Sequence, residues 1–190
     1  MPRIAIVYHS GYGHTKKLAE AVSAGVSGAG APVDVIAINA EGNIGDADWD
    51  TLNAADAIIF GSPTYMGMVS WQFKKFADAT SKQWGALAWK DKLAAGFTNS
   101  GSMNGDKLST LHYQFTLAMQ HGMIWAGTAL MPANVKASQR NDVNYLGSFA
   151  GLMGQSPVDV SPEEGPLSGD LETGRLFGKR VVEIAARLAK

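Results

Sequence analysis

The chain has 190 residues, 46% hydrophobic and 17% charged, with a formal net charge of −1 from 16 Lys and Arg against 17 Asp and Glu. That is ordinary globular composition, long enough for one domain over 1–190, with no basic face for nucleic acid and no acidic face for basic partners. Cysteine is absent, which removes disulfides, thiolate nucleophiles and Cys-ligated metals and leaves any redox chemistry to a borrowed cofactor. The four histidines lack metal-ligand spacing, so no metal site is expected. No apolar run approaches the ~20 residues of a membrane span, and the N-terminal run is too short for a signal peptide; a cytoplasmic protein is expected.

Ile4-Ala5-Ile6-Val7 reads as a buried parallel strand, and Leu18, Ala21, Val22, Gly25 and Val26 follow at helical spacing. Val33 to Ile38 reads as a second strand and Ala57 to Gly61 as a third, apolar enough to be central. Phe73, Phe76 and Ala77 place a helix over about 70–81, with Ser70 as its N-cap. Leu93 to Thr98 is a fourth strand. Leu108, Leu111, Phe115 and Met119 mark the next helix, which His121-Gly122 ends before a fifth strand at Met123 to Ala126. Residues 127–169 show no long periodic run; such segments are often functional or contact another subunit. An amphipathic helix carrying Phe177, Val181, Ile184 and Leu188 closes the chain. Alternating strands and helices give an α/β fold, a doubly wound five-stranded parallel sheet with helices on both faces.

Ligands of such sheets bind outside the carboxyl ends of the strands, where three loops gather. The first, Ser10-Gly11-Tyr12-Gly13-His14-Thr15, sits at a helix N-terminus, where unpaired N–H groups and the helix dipole converge and Ser10, His14 and Thr15 add donors. It matches neither G-x-x-x-x-G-K-[ST] nor G-x-G-x-x-G. Without Lys or Arg between Ser10 and Thr15, it suits a static phosphate anchor more than phosphoryl transfer. The alternative is a plain β-α turn in which glycine supplies unusual angles. The second loop, Ser62-Pro63-Thr64-Tyr65-Met66-Gly67, offers a flat or sulfur-bearing wall. The third, Asn99-Ser100-Gly101-Ser102-Met103-Asn104-Gly105, is rich in backbone donors. Together they fit a flat, polar-edged, monophosphorylated ring system.

In this order, with Tyr12-Gly13-His14, Gly61-Ser62-Pro63-Thr64, Trp84 and His121-Gly122-Met123, the chain resembles the flavodoxin-like FMN proteins, and among them the WrbA-type NAD(P)H:quinone oxidoreductases. The resemblance runs over nearly the whole chain. It implies FMN with its phosphate at Ser10, Gly11, Tyr12, Gly13, His14 and Thr15. Pro63, Thr64, Tyr65 and Met66 would then touch the ribityl chain and ring, and Asn99, Ser100, Gly101, Ser102, Met103 and Asn104 would edge the ring. It also implies NADH or NADPH as co-substrate, Tyr12 on the nicotinamide side, Trp84 and His121 lining the quinone pocket as the catalytic pair, and a homo-oligomer, dimer or tetramer, with active sites at subunit contacts. The implied reaction is ping-pong: hydride from NAD(P)H to FMN, then two electrons to a quinone.

The chain departs from the family pattern in a shorter segment between the second and third strands and in two loops, whose changes concern substrates more than FMN. Tyr65-Met66 stands where family members often carry Arg-Phe, which removes a cation suited to an anionic cofactor. Met103 and Asn104 stand where glycine is usual, which alters access to one ring face. His121 is suited either to donating to a quinone oxygen or to ending a helix, where the dipole favours it. Trp84 suits stacking on a planar substrate or filling an interface. Met66, Met68 and Met103 suit flavin contact or gap filling, and Asp48, Asp50 and Asp56 read as solvated or capping carboxylates. Two other classes share the fold: a flavodoxin-type electron carrier without a substrate pocket, and a receiver-like signalling module, which lacks here the acidic pair needed for Mg²⁺.

Overall fold

A computed structural model of the chain describes residues 1–188. Five strands form the body of one parallel sheet: β1 (Ile4–Tyr8), β2 (Val33–Ala37), β3 (Ala57–Tyr65), β5 (Leu93–Ser100) and β6 (Ile124–Ala126), in the order β2-β1-β3-β5-β6. This is the doubly wound order expected, with the reversal between β1 and β3. Two short strands add to it. β4 (Met68–Val69) folds back antiparallel on the end of β3, and β7 (Leu152–Gln155) pairs with the last four residues of β5, beyond the stretch that pairs with β6. The fifth strand is therefore split, and residues 127–151 are an insertion between its halves.

Side-chain alternation sorts the strands into two cores. Ile4, Ile6, Tyr8, Ile59, Leu93 and Phe97 face α1 (His14–Gly28) and α6 (Ser168–Leu188). Ala5, Val7, Ile58, Phe60 and Ala94 face the helices of the opposite layer: α2 (Asp46–Ala54), α3 (Trp71–Ala79) and α5 (Lys107–Gln120), with the one-turn α4 (Ser81–Gly85) after α3. Ser70 caps α3 as its position predicts, accepting from the Phe73 N–H at 3.3 Å.

Three features differ from the sequence expectation. The helix α2 was not anticipated, since Trp49 and Leu52 are its large apolar residues; it is held by Asp48, which accepts from the Gly45 N–H at 2.8 Å, and by Trp49 stacked on Phe76. Asp56 instead accepts from the Arg3 N–H at 2.7 Å. In α6 the buried seam is Gly174, Phe177, Gly178, Val181, Val182 and Ala185, while Ile184 is half-buried and Leu188 exposed. The reason is the approach of α1, where a Cβ on Gly178 would strike the Val22 carbonyl and one on Gly25 would strike the Arg175 carbonyl. The helices touch backbone to backbone, and that contact sets which face of α6 is covered. Among the described residues, no helix is long and apolar enough to cross a membrane.

Candidate active site

The carboxyl ends of β1, β3 and β5 open into a cavity of about 770 Å³, within the range of cofactor sites. Its walls come from four segments: Tyr12, His14 and Thr15; Pro63 to Met66; Asn99 to Gly101; and Ser156, Pro157, Val158 and Val160. None of these is Lys, Arg, Asp or Glu, so an anion there is received by hydroxyl, imidazole and backbone N–H donors.

The first loop is preorganised by its own side chain. Ser10 Oγ accepts from the N–H groups of Gly13 and Lys16, both at 3.1 Å, which leaves its hydroxyl hydrogen free to point outward. Gly13 enters α1 in the left-handed region with φ +90°, and the first-turn N–H groups of His14 and Thr15 have no intrahelical acceptor. Thr15 is buried at the floor of this turn. Gly11 packs beneath Tyr65: a Cβ there would lie 2.5 Å from the phenol oxygen. Tyr12 and Tyr65 meet edge to face with centroids 6.1 Å apart. Burial pushes the Tyr65 phenol above the usual tyrosine range, Tyr12 adds to the effect and the Gly11 N–H opposes it, so Tyr65 remains a neutral donor.

The β3 wall rests on a buried hydroxyl cluster, with Thr64 Oγ1 at 2.8 Å from Thr98 and 2.7 Å from Thr110. Met66, at φ +48°, is fully solvent-exposed at the rim. The third loop divides. Asn99, Ser100 and Gly101 face the cavity, whereas Met103 and Asn104 turn away into a separate groove of about 420 Å³ with Leu108, Phe149 and Met153. Ser102 lies at the fold between them, its carbonyl accepting from Lys107 Nζ at 2.7 Å.

Two supports are absent from the sequence expectation. One is Lys107, at the start of α5 and fully buried, whose ammonium donates to Ser100 Oγ (2.9 Å) and to the carbonyls of Ser102 (2.7 Å) and Met103 (3.0 Å). Burial pulls its pKa down to about 8, with Asp170 acting against the shift and Arg140 adding to it. Arg140 is itself held by Asp170 through two bonds of 2.8 and 2.7 Å, Asp170 also accepts from the Gln155 N–H, and the Gln155 amide donates to the Gly101 carbonyl at 2.7 Å. The other is the fourth wall. Its strap, 156–165, crosses the first loop: His14 Nδ1 donates to the Gly165 carbonyl at 2.8 Å, Pro162 sits on Gly13, Val158 sits on Gly101, and Lys17 approaches Glu163 at 3.7 Å. The turn residues Pro157, Ser161, Pro162 and Gly165 were the signal available, but nothing local ties them to the first loop.

Trp84 and His121 lie elsewhere. α5 begins at the cavity and its 14 residues carry the chain about 20 Å toward the other end of the sheet. There Gly122 accepts from the Asp91 N–H just before β5. His121 is 2% exposed, packed on Trp89 at 4.5 Å between centroids and bonded through Nε2 to Thr80 Oγ1 at 2.8 Å. The Thr80 hydroxyl donates to the Ala77 carbonyl, so Nε2 carries the ring proton and Nδ1 is the buried atom without a partner. Trp84 is 52% exposed on α4, and only its backbone N–H reaches Thr80, donating to the Thr80 carbonyl at 2.9 Å. The two sites of the expected pair thus share Thr80, and within one chain neither reaches the cavity.

His121 and His9 are both pushed below the usual histidine range by burial. Each is therefore protonated in the unfolded chain before the folded one, so stability is full above the unfolded pKa of about 6.5 and is lost as pH falls through it. The thermal midpoint is expected to drop between pH 7.5 and 5.5, with a smaller drop in His121→Phe; equal drops in variant and parent would remove His121 from this account.

The residues fit FMN by their chemistry: hydroxyl, imidazole and backbone N–H donors and a helix N-terminus for a phosphate, flat and small walls for a ring, and backbone donors at its edge. The family model of the NADPH-dependent FMN reductases matches residues 2–136. A relative from Pseudomonas aeruginosa named flavodoxin FldP is 50% identical over 188 residues, covering 99% of both chains. An NAD(P)H dehydrogenase (quinone) of Geotalea uraniireducens is 34% identical over 208 aligned positions, covering 99% of this chain and 100% of the relative. Among solved structures, the flavodoxin, WrbA-like protein from Agrobacterium tumefaciens is 46% identical with a TM-score of 0.77, covering 98% of this chain and 99% of that one. The fold order, the four-walled cavity and these likenesses agree, and the chain belongs to the NADPH-dependent FMN reductase family, in its WrbA-type, flavodoxin-like branch.

Proposed function

We propose that the chain is an FMN-dependent NAD(P)H:quinone oxidoreductase that works by a ping-pong sequence on one open ring face. The carrying observation is the cavity: a phosphate seat, a flat wall and a donor-lined edge meet at the reversal of strand order without a Lys, Arg, Asp or Glu in the lining. FMN supplies the chemistry, accepting a hydride equivalent and returning two electrons. The first-turn N–H groups and the Ser10 hydroxyl hold the phosphate end, and the strap over Gly13 excludes water from it. Asn99, Ser100 and Gly101 present donors where negative charge accumulates at the ring edge, fixed beforehand by the buried polar network below them. Tyr12, Met66 and Val158 make an exposed apolar rim on which a planar nicotinamide or quinone docks. A part for Trp84 in the quinone pocket requires a second copy of the chain to bring it there, and His121 then acts through the packing of Trp89 and the α4 segment.

A second reading has its own support in the relative named flavodoxin: an electron carrier using the same FMN site with no small substrate. The visible spectrum separates them. Under anaerobic conditions, stoichiometric NADH or NADPH is expected to bleach the flavin absorbance within seconds, and a benzoquinone to restore it. Flavin that stays oxidised with both nicotinamides, yet is reduced one electron at a time by dithionite, favours the carrier. A chain that is colourless and takes up no added FMN ends both readings.

A further inference from the structure

We propose that Lys107 is a positioning residue for the cofactor: its buried ammonium is the hub on which the 100–106 turn is wound, and FMN affinity depends on its being protonated. The proposal rests on the cofactor reading above and concerns a residue that never touches the ring. An ammonium has three donors, and all three are used here, on Ser100 Oγ and the Ser102 and Met103 carbonyls. A neutral amine has two donors and a lone pair, so deprotonation leaves one loop oxygen facing a lone pair in a buried site. The turn has little slack to absorb that change. Gly105 is held at φ +56° against the Ser100 hydroxyl, which donates onward to the Ser102 carbonyl. Ser100 and Gly101 are the cavity wall itself.

The charge on Lys107 is also unneutralised at contact distance. Asp170 faces it from α6 and Arg140 from the insertion, but Asp170 is spent on Arg140 and the Gln155 N–H. The loop presents only hydroxyl and carbonyl oxygens, and Asp106, which precedes Lys107 on its own element, is exposed. Lys107 stands at the N-terminus of α5, where the helix dipole opposes a cation. Burial and dipole both work against its charge, and a ring edge seated on the Ser100–Gly101 wall holds the turn in the geometry that only the ammonium, with its three donors, satisfies. By linkage, FMN favours the protonated lysine and the protonated lysine favours FMN. With the free-state pKa near 8, the dependence falls in mildly alkaline solution, where the phosphate is already fully ionised.

The test reads FMN release by recovery of flavin fluorescence on dilution of the holoprotein between pH 7 and 9.5. In the parent the dissociation constant is expected to rise roughly five- to tenfold across that range, as a coupling of about one pKa unit dictates. K107M is expected to bind weakly at pH 7 and to show no step. K107R, charged throughout, keeps its pH 7 affinity to pH 9.5. Tyr65, pushed above the ordinary tyrosine range, does not titrate in this window. A parent profile flat within twofold with FMN tightly held, or a step that survives in K107M, overturns this proposal alone. No FMN retained at any pH overturns the cofactor reading with it.

Discussion

Replacing Gly178 by valine is expected to destabilise the protein by more than about 4 kcal/mol, the range reached by severe steric clashes at buried positions, and so to lower the thermal midpoint by about 10 °C. The cause is not lost flexibility but occupied space. A Cβ at Gly178 would meet the carbonyl group of Val22 and, at 3.1 Å, the amide nitrogen of Val26. These are backbone atoms of α1, so no rotamer change relieves the clash, and the reciprocal contact of Gly25 with the Arg175 carbonyl means that the helices must separate as a pair. Separation would uncover Leu18, Val22, Phe177 and Val181, the centre of one core layer. The matched control is Gly28→Ala in α1, which has nothing within 4 Å of its would-be Cβ and should be neutral or slightly stabilising, by up to about 1 kcal/mol from helix propensity. Thermal unfolding of both variants checks this, and a Gly178→Val protein melting within two degrees of the parent would refute the close-contact explanation.

The second large effect is functional. Gly13→Val should weaken FMN binding by about 100-fold or more, equivalent to losing one or two hydrogen bonds to a charged group. Two constraints act at once. A β-branched residue is disfavoured at φ +90°, and its Cβ would lie 2.6 Å from Pro162 Cγ. The first turn of α1 or the strap must move, and either shift misaligns the N–H groups that receive the phosphate. Gly42→Ala supplies the comparison, since Gly42 also has positive φ (+78°) but lies in the turn after β2; it should lose stability while keeping FMN affinity. Fluorescence titration with FMN, paired with thermal melts, separates the two effects. Undiminished affinity in Gly13→Val would take the phosphate away from this loop.

What the sequence disclosed follows from where each structure gets its stability. β1, β3 and β5 are continuous apolar runs and α1, α3 and α5 carry clear periodicity, so the sheet and its reversal point were readable, and with them three of the four cavity walls. The helix α2 was missed because Asp-Ala-Asp-Trp-Asp-Thr-Leu-Asn-Ala has few apolar residues and owes its place to the Asp48 cap and the Trp49–Phe76 stack. β7 was missed because Leu-Met-Gly-Gln is four residues long, and only β5 turns it into a strand. The strap escaped for a related reason: Pro162 on Gly13 and Val158 on Gly101 are contacts between residues 149 and 57 positions apart. Lys107 left one faint sign, a cation at a helix N-terminus where the dipole disfavours it. Read locally it is a solvated lysine, and only the wound turn around it gives it another role. Trp84 and His121 follow a strand and its crossover helix, a position that a parallel sheet puts at the amino ends of its strands, so chain order itself set them apart from the cavity and the family resemblance alone drew them to it.

The splitting of the last strand bears on how copies of this protein avoid adhering to one another. An edge strand offers unpaired N–H and C=O groups as a template for another chain, and short or interrupted edges are poor templates. On the β5 side, that edge is broken into three residues of β6 and four of β7, with the 127–151 insertion emerging between them. On the other side, β2 is a continuous five-residue strand with Val35 exposed. Intermolecular strand addition under destabilising conditions therefore has β2 as its favoured seed, and a charge placed at Val35 is the change that guards it.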